Sequence, residues 1–145
     1  MSNLSITSKI TGVLNSRPLS IGSDTPVSFA LSTDEKLEAT IVLTNTSSIL
    51  VWDPTVVTEP ISSFSVLSVV SDQDVLLELC CDAGNDVGKK TFVLKVKQNL
   101  PFSLHSNYSH ANLTEGFDGT ADVIDRIRLK NVSGSTANIT ITLIK

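Results

Sequence analysis

The sequence predicts an all-β fold, a β-sandwich or jelly roll of about eight to ten short antiparallel strands, and three observations predict it. Ser and Thr make up roughly a quarter of the chain, and Val, Ile and Leu supply most of its apolar content; β-branched residues and hydroxyls suit a pleated, half-buried surface. Apolar and polar residues alternate in short runs, and no stretch of about ten residues keeps a 3.6-residue period. Turn-forming residues break these runs at regular spacing.

In order, residues 1–25 are polar and broken by Gly12, Pro18 and Gly22, with apolar pieces at Ile10–Leu14 and Leu19–Ile21. They read as an N-terminal arm or first short strands, and residues 26–145 as a single sandwich domain. Pro26 opens a run in which Val27, Phe29 and Leu31 alternate with Ser28, Ala30 and Ser32. Ala39, Ile41 and Leu43 alternate with Thr40, Val42 and Thr44 up to Asn45-Thr46-Ser47-Ser48; Ile49–Trp52 follows, stopped by Asp53-Pro54. Residues 53–63 hold Pro54 and Pro60 and form a longer connection, with room for an edge strand at Thr55–Thr58. Phe64–Val70 and Val75–Cys80 flank Ser71-Asp72-Gln73-Asp74, which predicts a hairpin. After the loop 82–88, Thr91–Lys97 alternates again, with Phe92, Leu94 and Val96 expected to face inward. Residues 99–120 form the long irregular section, a kind of loop that often makes contacts. The best-patterned stretch closes the chain. Val123, Asp125, Ile127 and Leu129 alternate with Ile124, Arg126, Arg128 and Lys130; Ala137, Ile139, Ile141 and Leu143 alternate with Asn138, Thr140, Thr142 and Ile144. Joined by Asn131-Val132-Ser133-Gly134-Ser135, they predict a second hairpin.

Composition bounds the function. With 145 residues the chain is long enough for one domain with a real core. Apolar residues at 41% and charged residues at 18% exclude a disordered chain. A net charge of −4 argues against a nucleic-acid partner, which favours a basic patch and high pI. Arg126, Arg128 and Lys130 form one local basic row, and Lys89, Lys90, Lys95 and Lys97 another; both read as solvated strand faces. Met1–Ile6 lacks the basic start and apolar core of a signal peptide, and no run approaches the roughly 20 apolar residues of a bilayer span. The expectation is a protein made in the cytosol with no membrane partner.

Candidate sites have weak patterns. Cys80 and Cys81 are adjacent, so on a strand they point to opposite faces; one reads as core and the other as facing away. Asp82, Asn85 and Asp86 bring oxygens together, but not at the spacing of an EF-hand. His105 and His110 lie near Glu115 and Asp118, yet no serine elbow or HExxH accompanies them, so neither catalysis nor a cofactor is expected. Asn3, Asn45, Asn107, Asn112, Asn131 and Asn138 each begin an Asn-x-Ser/Thr triplet, read as chance in so Ser/Thr-rich a chain. Strand, Asn-x-Ser, strand occurs twice, at Asn45 and at Asn131. The candidate interaction residues are Trp52, Tyr108 and Phe117, as aromatic anchors or contacts, and Arg126 and Arg128.

Taken whole, the chain resembles small bacteriophage virion proteins, in particular capsid decoration (cement) proteins. The resemblance lies in the short Ser/Thr/Val-rich all-β chain, its polar opening arm and the strand-turn segment Ala39–Ser48. It extends to the closing run Asp125-Arg126-Ile127-Arg128-Leu129-Lys130-Asn131-Val132-Ser133-Gly134 and the final Ile-Thr-Ile-Thr-Leu strand. It implies a jelly-roll or sandwich fold and a homo-oligomer, typically a trimer. It also implies a structural role, bridging neighbouring major capsid protein subunits on the virion surface after synthesis in the host cytoplasm. It carries over no catalytic residue. The alternative is a carbohydrate-binding or adhesion module of a virion or tail, using Trp52, Tyr108 and the 82–86 loop.

Overall fold

The computed structural model describes residues 3–30, 35–55, 61–81, 90–104 and 124–145. Ten strands are assigned among them: β1 (Asn3–Leu14), β2 (Arg17–Ala30), β3 (Lys36–Leu43), β4 (Ser48–Trp52), β5 (Val66–Ser71), β6 (Val75–Cys81), β7 (Lys90–Val96), β8 (Phe102–Leu104), β9 (Ile124–Asn131) and β10 (Ala137–Ile144). The chain divides into two units, residues 1–34 and 35–145.

The first unit is a long two-stranded ribbon. Asn15 and Ser16 both have positive φ, 50° and 63°, and Leu14 pairs with Arg17. A two-residue loop with both φ values positive matches the right-handed twist of the strands it joins. The ribbon runs to Asn3↔Ala30, with a register shift between Ile6 and Ser8. Pro18 and Pro26 are tolerated because each strand has a partner on one side only in this ribbon. Residues 26–30, which the alternation suggests as the sandwich's first strand, instead continue β2, and the division between units falls after Asp34.

The second unit is an antiparallel β-sandwich with sheets ordered β3-β10-β5-β8 and β4-β9-β6-β7. The strands pair as nested partners of one folded ribbon: β3 with β10, β4 with β9, β5 with β8 and β6 with β7. Rolling that ribbon brings β10 beside β5 and β9 beside β6. This is jelly-roll connectivity.

The roll overturns both expected hairpins. β9 and β10 lie in different sheets, as do β5 and β6, and β3 and β4. Each short break is an arch that carries the chain across the roughly 10 Å between sheets rather than the roughly 4.8 Å between paired strands. The reason is burial. A flat hairpin of two amphipathic strands leaves its shared apolar face open, whereas an arch turns the two apolar faces onto each other. Leu37, Ala39, Ile41 and Leu43 pair with Leu143, Ile141, Ile139 and Ala137, and these rows meet Leu77, Leu79, Ile127, Leu129 and Trp52 of the other sheet in one core. Ile139, Ile141, Leu143, Leu77 and Leu129 are fully buried. Burial at about 25 cal/mol per Å² of apolar surface is what holds the sandwich together.

Bulges account for the positions where alternation misassigns a face. On β9, Arg126 pairs with Cys80 but Ile124 with Cys81, so Asp125 is the extra residue. The alternation puts Val123 and Asp125 in the inward row; the bulge brings Ile124 inward instead, and it is buried. On β4, Leu50 pairs with Arg128 and Trp52 with Ile127, so Val51 is the extra one.

Candidate functional site

Two of the five residues singled out from the sequence, Tyr108 and Phe117, lie outside the described residues, as do His105, His110 and the 82–86 loop. Trp52 is 1% exposed. Its indole Nε1–H donates to the Ile61 carbonyl at 3.0 Å, and its ring meets Phe64 edge-on, centroids 5.2 Å apart at 81°. That geometry satisfies both its polar handle and its quadrupole. Trp52 is an internal anchor, and burial removes it as a contact platform.

Arg126 and Arg128 lie on the outer face of the second sheet. Arg126 Nε sits 3.3 Å from Asp53 Oδ2. The buried Asp53 also accepts from the Thr55 hydroxyl at 2.6 Å and the Thr55 amide at 3.0 Å. The Thr55 hydroxyl, then its amide, and then the Arg126 charge hold the Asp53 carboxyl below its ordinary range against the cost of burial. Arg126 is thereby committed to closing β4 onto β9. Arg128 reaches out at 55% side-chain exposure, with Glu78 Oε1 3.8 Å away. Arg128, Lys130, Glu78, Leu76 and Val93 line a shallow groove of about 290 Å³. Pairing register continues this face from Leu50 through Arg128 and Glu78 to Val93.

The outer face of the first sheet has another chemistry. Its rows are Glu38–Thr142–Ser68–Ser103, Thr40–Thr140–Val70 and Val42–Asn138. Glu38 is the one charge in these rows, and it is paired with Lys36 at 2.9 Å. Val42 and Val70 are exposed.

The arches that join the sheets hold a polar cluster the sequence did not mark as a site. Asn131 is fully buried. Its side-chain amide donates to the Leu43 carbonyl at 2.8 Å and the Ser135 carbonyl at 2.6 Å. Its Oδ1 accepts from the Ser133 amide and hydroxyl, and its backbone N–H donates to Ser47 O at 2.9 Å. From the facing arch, Asn45 Oδ1 accepts the Gly134 amide. The two Asn-x-Ser segments therefore dock on each other. The repeated motif in sequence was the signal for this. Asn131 is a structural clasp, and its burial leaves no room for a glycan. Cys80, one of the adjacent pair, is buried.

Sequence alternation turns Phe92, Leu94 and Val96 inward. Register does align them with Leu79, Leu77 and Val75, but only Val96 is buried, and Phe92 and Leu94 are 51% and 39% exposed. Among the described residues β7 is the last strand of its sheet, so residues on its inner side have neighbours on one flank only.

Among the described residues no three or more His, Cys, Asp or Glu side chains cluster to hold a metal, and no helix is long and apolar enough to cross a membrane. No family model and no curated protein matches the chain. Among solved structures, the chain is similar to the crystal structure of the mitogen from Yersinia pseudotuberculosis. The two share 12% identity at a TM-score of 0.44, over 77% of this chain and 86% of that one. At that distance the likeness says nothing about function.

Proposed function

We propose that the protein is a structural virion component that decorates a bacteriophage capsid, binding major capsid protein subunits and stabilising their contacts. One observation supports this reading above others: the hydroxyl-rich outer face of the β3-β10-β5-β8 sheet, whose charges are confined to the Lys36–Glu38 pair on β3. Interface cores are depleted in charge because each buried ion must be desolvated. Thr40, Thr140, Thr142 and Ser68 offer short hydroxyls that find partners cheaply, and Val42 and Val70 add exposed apolar area. Copies repeated over a symmetric shell act multivalently, so weak single contacts add up to a stable coat. The β1–β2 ribbon serves as the second contact region, and the protein works as a homo-oligomer. The adhesion-module reading is weakened by the burial of Trp52, one of its two aromatic candidates.

The test is co-sedimentation of the purified protein with purified phage shells. Wild type is expected to saturate the shell at a stoichiometry set by shell symmetry. Val70→Glu, at an exposed site, is expected to abolish retention while the far-UV and Trp52 spectra stay native. Removal of residues 1–34, the whole ribbon, is expected to weaken retention and leave the sandwich folded. Retention unchanged in both variants would refute the reading.

A further inference from the structure

We infer that β7 is a pairing edge for a second copy of this chain, joining two β4-β9-β6-β7 sheets into one eight-stranded sheet across a two-fold axis. The inference does not depend on the decoration reading. It starts from the row of unpaired N–H and C=O groups that any outermost strand presents, which folded proteins blunt by recognisable devices.

Three of the sandwich's four edges carry such a device. β3 bears charges on its outer side, with Lys36 and Glu38 paired. β8 is three residues long. β4 is five residues long and carries the Val51 bulge. β7 differs on each count. It runs seven residues in unbroken register with β6, and among the described residues no strand pairs with its other side. Phe92, Val93 and Leu94 are consecutive and exposed, so both faces of the edge are apolar.

Lys95 on the strand and Lys97 just past it would ordinarily guard the edge, but one carboxylate offsets part of their charge from within. Lys95 and Lys97 both reach Asp74 Oδ2, at 2.8 and 2.9 Å. The two ammonium groups, and the Gln98 amide at 2.9 Å, hold the Asp74 carboxyl far below the ordinary carboxylate range. It is therefore ionised at neutral pH together with the lysines, and the repulsion two like edges would feel is reduced.

The strand is also complementary to itself. Antiparallel pairing centred on Val93 places Val93 opposite Val93 and Phe92 opposite Leu94 twice. The same register sets Thr91 opposite Lys95 and Lys90 opposite Val96. No like charges face each other within β7, and the aromatic–aliphatic pairs are of a kind that stabilises antiparallel strands. Such an interface is isologous. A seven-residue edge buries less than a standard interface, so a dissociation constant in the micromolar range is expected.

Sedimentation over a concentration series tests this, with Trp52 fluorescence reporting the fold. Wild type is expected to show a monomer–dimer equilibrium. Val93→Glu and Val93→Lys each set like charges across the axis and are expected to weaken dimerisation about tenfold or more. Glu is the stronger, since Glu78 already lies beside residue 93. Mixing the two variants in equal amounts is expected to restore the dimer, an outcome that a merely destabilised variant does not give. Wild type that stays monomeric, or a closed trimer indifferent to Val93→Glu, overturns the inference. The trimer result would leave the decoration reading standing, and failure of shell binding would leave the edge pairing standing.

Discussion

The arch end of the sandwich and the β7 edge use their polar and apolar groups in opposite ways. At the arches, short polar side chains are turned on the protein itself. Asn131 satisfies four groups, Asn45 a fifth, and Asp72 binds both the backbone and side-chain amides of Asn138, at 2.8 and 2.6 Å. At β7, among the described residues, the apolar groups are exposed and one side of the backbone has no partner strand. Polar residues at the arches are internal clasps, whereas the apolar Phe92, Val93 and Leu94 at the edge are exposed, the reverse of what a polar-outside expectation suggests.

Four substitutions or conditions can break or sharpen this contrast. Asn131→Ala strands the Leu43 and Ser135 carbonyls and the Ser133 amide, and is expected to cost about 3 kcal/mol in urea unfolding. A loss below about 1 kcal/mol would mean that the clasp is decorative. Gly134 has φ +87° with open space where a Cβ would stand, so Gly134→Ala meets backbone strain without a clash. Its expected cost is about 1 kcal/mol by the same measurement.

Acid should act on the arch end next. The Asn138 side chain, then its backbone amide, hold the Asp72 carboxyl below its ordinary range. A depressed carboxylate contributes its stability fully above the unfolded-state value of about 3.9, and that contribution is lost as pH falls through the lower folded value. Melting temperature should therefore drop as pH falls below about 4, and the drop should be shallower in Asp72→Asn. Equal acid slopes in both proteins would remove Asp72 from the account. The smallest effect is expected at the edge, where Val93→Thr should change stability by no more than about 0.5 kcal/mol. A larger loss would show that Val93, like the buried Val96, packs into the monomer itself.

Much of this fold is legible in the sequence, because period-two alternation marks a strand whatever it pairs with. Ala39, Ile41, Leu43, Ile139, Ile141 and Leu143 all take the sides that alternation gives them. Alternation does not record which sheet a strand joins. Asn131–Ser135 and Ser71–Asp74 suit a turn in either case, and only the competition for burial between the two faces makes them arches. Nor does alternation foresee bulges, so Ile124 and Asp125 exchange sides. For the candidate site less was legible. Trp52 and Phe92 are both large aromatics beside polar neighbours, and their opposite fates follow from position: one strand packs Trp52 against Phe64 and Ile61, the other ends its sheet. Arg126 and Arg128 look alike in sequence, yet only Arg126 has a buried acid beside it.

The order of strands in the first sheet governs how the molecule comes to exist during synthesis. β10 lies between β3 and β5, and joins the earliest strand of the sandwich to a middle one. While the ribosome still holds residues 137–144, β3 and β5 have no common partner and the core lacks Ile139, Ile141 and Leu143. The apolar row of β3 therefore waits without its partner, and the non-local pairing that ends the wait is intrinsically slow. Until residues 137–144 have been made, β4-β9-β6-β7 has all its strands but β3 and β5 have nothing to join them, so the first sheet is the later of the two to become complete.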